Sequence, residues 1–193
     1  MSTASVERVT NETRVVVEFA LAGEGRSHVS TGIGFLDHLL TALARHARFD
    51  LTIRCDGDLV VDDHHSAEDV ALALGGALDR ALGDRKGVNR FGNAIVPLDE
   101  ALARAVVDLS GRPFADVNLG LRREMIGSLA TENIAHFLRS LASSARLTLH
   151  VDVLKGENDH HRAESAFKAT ALALRQAVSP SGFSDVPSTK GVL

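Results

Sequence analysis

With 193 residues and 45% apolar content, the chain can bury a core as one domain or as two small halves. Its formal net charge of -4, its dispersed Lys and Arg and its lack of Trp and Tyr exclude the basic stripe and aromatic platform of a nucleic-acid binder. Cys55 is the only cysteine, Met1 to Arg8 hold no apolar leader segment, and no apolar run reaches the length of a membrane span. A soluble, cytoplasmic protein without membrane partners is expected, with nine histidines to carry any transition-metal chemistry.

In chain order, Arg14 to Ala20 is rich in β-branched residues and runs toward Gly23 and Gly25, which predicts a strand into a turn. Glu12 precedes it as a strand-end carboxylate. Thr31-Gly32-Ile33-Gly34 then opens an amphipathic helix over Phe35 to Ala44, with His38 in its first turns. Residues 132–138 predict another helix start, with His136 standing 98 residues after His38. Leu51 to Asp56 alternates as a half-buried strand, and Leu147 to Asp152 does the same.

The next segment contains Asp63-His64-His65-Ser66-Ala67-Glu68, and Asp159-His160-His161-Arg162-Ala163-Glu164 repeats the pattern 96 residues on. Aligning residues 51–82 on 147–178 without a gap gives 12 identities in 32 positions, an internal duplication. Each half then reads as strand, helix with one histidine, strand, loop, and a helix opened by His-His-x-x-Glu, over 66–82 and 162–178. Residues 89–97 and 101–109 predict a hairpin around Leu98-Asp99-Glu100, broken by Ser110-Gly111-Arg112-Pro113. It offers Arg90, Asp99 and Arg112, each alone a surface charge. After Val178 the chain turns rich in Ser, Pro and Gly. By composition it is a tail, although its Ser188-Thr189-Lys190 could close over a phosphate.

On a helix, residues i and i+3 share a face while i and i+1 do not. His65 is therefore expected to chelate with Glu68, and His161 with Glu164, while His64 and His160 are offered to a different centre. The expected division is His38, His65, Glu68 and His160 at one metal and His136, His161, Glu164 and His64 at the other. Nitrogen with carboxylate suits Mn, Fe or Zn, and four protein ligands leave room for substrate only on a five- or six-coordinate ion, which favours Mn(II).

Taken together, Phe35-Leu36-Asp37-His38, the two Asp-His-His-x-Ala-Glu blocks, Asn89-Arg90-Phe91-Gly92, Asp108 to Pro113 and Ser188 to Leu193 closely resemble the imidazoleglycerol-phosphate dehydratase family of histidine biosynthesis, nearly end to end and in order. The resemblance implies an α+β fold of two alike halves, each a four-stranded sheet with two helices, the helices packed between the sheets. We take residues 1–88 and 89–180 as the two repeats, and residues 181–193 as a tail closing on the active site. It also implies two Mn(II) ions per active site, sites at subunit interfaces, and a shell of 24 subunits built from trimers.

The implied reaction converts D-erythro-imidazoleglycerol phosphate to imidazoleacetol phosphate and water. No carbonyl stands beside the bond to be broken, so the imidazole ring is the electron reservoir: its anion expels the hydroxyl to give a diazafulvene, and a carboxylate then removes the carbon-bound proton. By similarity Glu12 is the leading acid/base residue, with Glu164 and Asp99 as helpers. The phosphate falls to Arg90, Arg112, Lys168, Ser188 and Lys190. One departure is Ala42, where many relatives carry a glutamine near the phosphate. Two rival readings are a metal-storage shell, which would not need these cations, and a dinuclear phosphate-ester hydrolase, which usually leans on Asp-rich ligands.

Overall fold

The computed structural model describes residues 3–193. The first half runs β1 (Thr3–Val9), β2 (Thr13–Ala20), β3 (Ser27–Ser30), α1 (Gly34–Ala47), β4 (Asp50–Gly57) and α2 (His64–Leu82). The second runs β5 (Phe91–Leu98), β6 (Ala101–Asp108), β7 (Phe114–Asn118), a short ribbon of β8 (Met125–Ile126) and β9 (Leu129–Ala130), α3 (Thr131–Ser144), β10 (Thr148–Lys155) and α4 (Asp159–Val178). The sheet orders β1-β2-β4-β3 and β5-β6-β10-β7 are the same topology twice, antiparallel except where β3 meets β4 and β7 meets β10. The duplicated α+β architecture is thus as expected from the sequence.

Period-two burial decides which sheet face the helices cover. On β2, Val15, Val17 and Phe19 are buried between the more exposed Arg14, Val16 and Glu18, and α2 packs on that face. On β6 the inward positions are Ala101, Ala103, Ala105 and Val107, small enough for α4 to lie close. Gly92 on β5 completes this approach, since a Cβ there would collide with the backbone of Ala173 and Ala177 on α4. All four helices lie between the two sheets, and the core is contiguous across the halves.

The helices do not pair within their own half. α1 packs against α4, and α3 against α2. Gly75 permits the second pairing, because a Cβ at that position would stand 2.7 Å from the Leu141 carbonyl and 2.8 Å from Ser144 Cβ on α3.

Three strands escape the sequence periodicity, and all three are sheet edges. β1 buries only Val6 among its seven residues, β3 is four residues long, and β7 buries only Val117. Each alternates in exposure, but with at most one residue fully buried it carries few apolar side chains to show the period. The long helices α2 and α4 also begin before Ser66 and Arg162, at His64 and Asp159, which puts all four block histidines inside the first turn.

Candidate metal centre

The exchange of helix partners creates two like groups of candidate ligands. His38 on α1 meets His160 and Glu164 on α4, and His136 on α3 meets His64 and Glu68 on α2; within each group the ligand atoms lie within 4.8 Å of one another. His38 Nε2 and His160 Nε2 approach the same oxygen, Glu164 Oε2, at 3.1 and 3.2 Å. His136 Nε2 stands 3.0 Å from Glu68 Oε1. Each group therefore takes one histidine from one half and a His-x-x-x-Glu pair from the other.

Neighbouring polar groups aim these side chains. The His64 Nδ1 lies 3.0 Å from Oδ1 of the buried Asn133, which leaves Nε2 for the centre. Asp63 accepts from the Ala130 backbone N–H at 2.7 Å and ties the start of α2 to the start of α3. Around the other group, Phe35 packs on both His38 and His160. Burial opposes the charge of Glu164, but Lys168 Nζ at 2.8 Å and His38 outweigh it and hold its carboxyl down at about 2.

The second histidine of each block faces a separate pair of carboxylates. His65 Nδ1 sits 3.0 Å from Asp58 Oδ2, with Glu12 Oε1 at 3.6 Å from Nε2. His161 Nδ1 sits 2.8 Å from Glu100 Oε2, with Asp99 Oδ2 at 3.9 Å from Nε2. The hydrogen bonds to Asp58 and Glu100 raise both imidazoles above their ordinary value, and the one from His161 draws Glu100 down to about 2. Glu12 is placed by its turn: Thr10 Oγ1 accepts the Glu12 backbone N–H at 3.1 Å. The buried Asp69 of α2 accepts from Thr13 Oγ1 and from Arg8 Nε.

Comparison with known proteins decides the family. A family model described as imidazoleglycerol-phosphate dehydratase matches residues 31–174. The chain belongs to the imidazoleglycerol-phosphate dehydratase family. Its relatives of that name include one from Candida glabrata, 55% identical over 98% of this chain and 99% of its own length. Another, from Phytophthora nicotianae, is 60% identical over 98% of this chain, and the chain spans 42% of that longer relative. Two solved members of the family, from Staphylococcus aureus and Pyrococcus furiosus, superpose with a TM-score of 0.84 at 36% and 39% identity, covering 93% and 97% of this chain and 99% and 100% of theirs.

Within one chain the ligands divide differently from the i, i+3 expectation. Glu68 joins His64 rather than His65, and Glu164 joins His160 rather than His161. At 3.6 residues per turn a glutamate lies between the directions of the residues three and four before it, about 60° from one and about 40° from the other, so either can share its face. The choice comes from the partner helix, which offers His136 on the His64 side and His38 on the His160 side. The structure brings His38 beside His160 and His136 beside His64, across the halves.

The expected phosphate residues fall in two places. Lys168 is bound to Glu164 of one candidate group, and nearby on α1 His46 is held below its ordinary value by burial and then by the Lys168 ammonium. Arg90, with φ of 70°, clamps Asp108 through Nε and Nη2 and donates from Nη1 to the Pro187 carbonyl at 2.8 Å. The tail continues past Ser188 and Lys190 to lie against Gly111, beside Arg112. Among the described residues, no hydrogen bond or ion pair links Arg90, Arg112, Ser188 or Lys190 to either ligand group.

Proposed function

We propose that this protein removes water from D-erythro-imidazoleglycerol phosphate to give imidazoleacetol phosphate, holding two Mn(II) ions per active site. The observation that carries the reading is the pair of His-His-Glu groups, each drawn from both halves. The donor set fits such an ion: two imidazole nitrogens and one carboxylate leave positions for a fourth protein ligand and for substrate in an octahedral shell. When bound, the metals supply Lewis acidity that favours the anionic form of the substrate's imidazole.

The chain's own residues do the remaining work. The ring anion expels the neighbouring hydroxyl, which leaves as water with the proton the ring gave up, and so becomes a diazafulvene; Glu12 then removes the carbon-bound proton, with Glu164 and Asp99 as assisting carboxylates, the ring is reprotonated and the enol becomes the ketone. Lys168, already fixed at 2.8 Å from Glu164, holds the phosphate end of its own centre, and Arg90, Arg112, Ser188 and Lys190, which stand apart from it within one chain, reach that phosphate from a neighbouring subunit. The tail, residues 181–193, closes over that end, and Ala42 leaves one fewer polar contact there. We read residues 1–88 and 89–180 as the two repeats.

His65 and His161 serve as the fourth ligands, delivered to centres of neighbouring subunits in a shell of 24 built from trimers. Two facts support this reading: both histidines stand outside the groups of their own chain, and His38 and His160 are open in the single chain, with side chains 45% and 42% exposed. No helix among the described residues is long and apolar enough to cross a membrane, and burial pushes the lone Cys55 thiol up. We place the enzyme in the cytoplasm.

The test is turnover of imidazoleglycerol phosphate by purified protein, stripped of metal and reloaded with Mn(II). Ketone product is expected only after reloading. Full metal uptake without product would overturn the reading in favour of a storage shell. Glu12→Gln should abolish product while retaining metal; loss of metal would put Glu12 in the coordination shell instead.

A further inference from the structure

We propose that Asp58 and Glu100 are positioning residues that lock His65 and His161 with the proton on Nδ1 and the lone pair on Nε2, ready to ligate. This rests on the reading of those histidines as metal ligands.

The geometry is the same in both halves. Asp58 holds His65 Nδ1 at 3.0 Å and Glu100 holds His161 Nδ1 at 2.8 Å, so each ring donates from one nitrogen and offers the other. At Nε2 the nearest carboxylates are loose, 3.6 Å for Glu12 and 3.9 Å for Asp99.

The duplication did not simply copy this arrangement. Asp58 lies in the loop after β4, and its counterpart 96 residues on is Leu154. Glu100 lies on the β5–β6 turn, whose counterpart, the β1–β2 turn, carries Glu12. Two non-equivalent carboxylates thus converge on the same nitrogen of two equivalent histidines. Incidental surface ion pairs have no reason to do so, since exposed pairs contribute little.

The Glu100 carboxylate and the Asp58 backbone are themselves held. Glu100 accepts the backbone N–H groups of Glu157 and Asn158 on its other oxygen at 3.2 and 2.9 Å, which fixes it against the start of α4. The Asp58 backbone N–H donates to the Glu12 carbonyl at 3.1 Å, coupling the His65 orienter to the turn that carries Glu12.

The experiment titrates metal-stripped full-length protein with Mn(II), counting free ion by its electron paramagnetic resonance signal. Asp58→Ala and Glu100→Ala should each weaken Mn(II) binding roughly 10- to 100-fold. Asp58→Asn and Glu100→Gln, which keep an acceptor for Nδ1–H, should recover part of the loss, and a purely structural role would give no such ranking. His65→Ala and His161→Ala are the reference. If they lose affinity while all four carboxylate variants bind Mn(II) like the parent, the positioning role is overturned and the ligand assignment stands. If the histidine variants themselves bind as the parent does, the ligand assignment falls, and the positioning role falls with it.

Discussion

Adjacent glycines on α2 should respond to alanine with opposite signs. A Cβ at Gly75 would stand 2.7 Å from the Leu141 carbonyl, 2.8 Å from Ser144 Cβ and 2.9 Å from the Ala145 nitrogen, two of them backbone atoms that cannot rotate away. A Cβ at Gly76 would meet only Ser144 Oγ at 3.6 Å, an ordinary contact. Replacing glycine by alanine inside a helix gains about 1 kcal/mol, while overpacking a well-filled interface costs about 1 to 3 kcal/mol. Gly76→Ala should therefore stabilise by up to about 1 kcal/mol, and Gly75→Ala should destabilise by about 0 to 2 kcal/mol. For a chain of this size these become Tm changes of about 2 to 4 °C per kcal/mol, read by circular dichroism on metal-free protein. Gly75→Ala must also push α3 off α2, so it should weaken Mn(II) binding at the His64, Glu68 and His136 group while Gly76→Ala leaves it intact. A Gly75→Ala protein as stable as Gly76→Ala and equally tight for metal would refute the argument that this glycine sets the distance between the ligand-bearing helices.

Three further outcomes are expected. Arg85, only 1% exposed, donates to the carbonyls of Leu109, Ala145 and Arg146 as well as to Asp79, so Arg85→Met should lower unfolding free energy in denaturant by about 3 to 5 kcal/mol; a loss under 1 kcal/mol would be inconsistent with that network. In metal-free protein, the His161–Glu100 pair stabilises most between the unfolded values of 4.5 and 6.5: above them His161 loses its charge as pH passes its raised folded value, and below them Glu100 protonates toward about 2. The Tm gap between the parent and Glu100→Gln should peak in that window, and a gap that keeps growing toward alkaline pH would contradict the assignment. Chelation should reduce particle size by light scattering, because ligands from separate segments are tied together by metal; an unchanged size would show that assembly needs none.

The duplication, the two long helices and their paired histidines were legible because each is written in local pattern: identities at a constant offset, apolar spacing and adjacent imidazoles. The edge strands β1, β3 and β7 were not, because partial cover asks for few apolar residues and their alternating exposure is hardly written in hydrophobicity. The grouping of the candidate ligands within one chain was not legible for a different reason. Whether Glu68 sides with His64 or His65 is a property of the α2–α3 contact, which depends on Gly75 and on where Asn133 and His136 fall on the facing helix. Asp58 and Asn133 left no repeat signal at all, since the 96-residue offset carries Asp58 onto a leucine.

That same contact makes each candidate group draw on both halves. Each half makes one helix that gives one histidine to a candidate group, His38 on α1 or His136 on α3, and one His-His-x-x-Glu helix. The packing crosses the halves: α1 lies on α4 and α3 on α2, so the histidine of one half is always delivered to the His-Glu pair of the other. Each ligand group therefore reports on the docking of both sheets, and a change that loosens the helix layer reaches a ligand distance before it reaches any ligand. Substitutions at small contact residues such as Gly75 and Gly92 thus belong to the chemistry as much as to the fold.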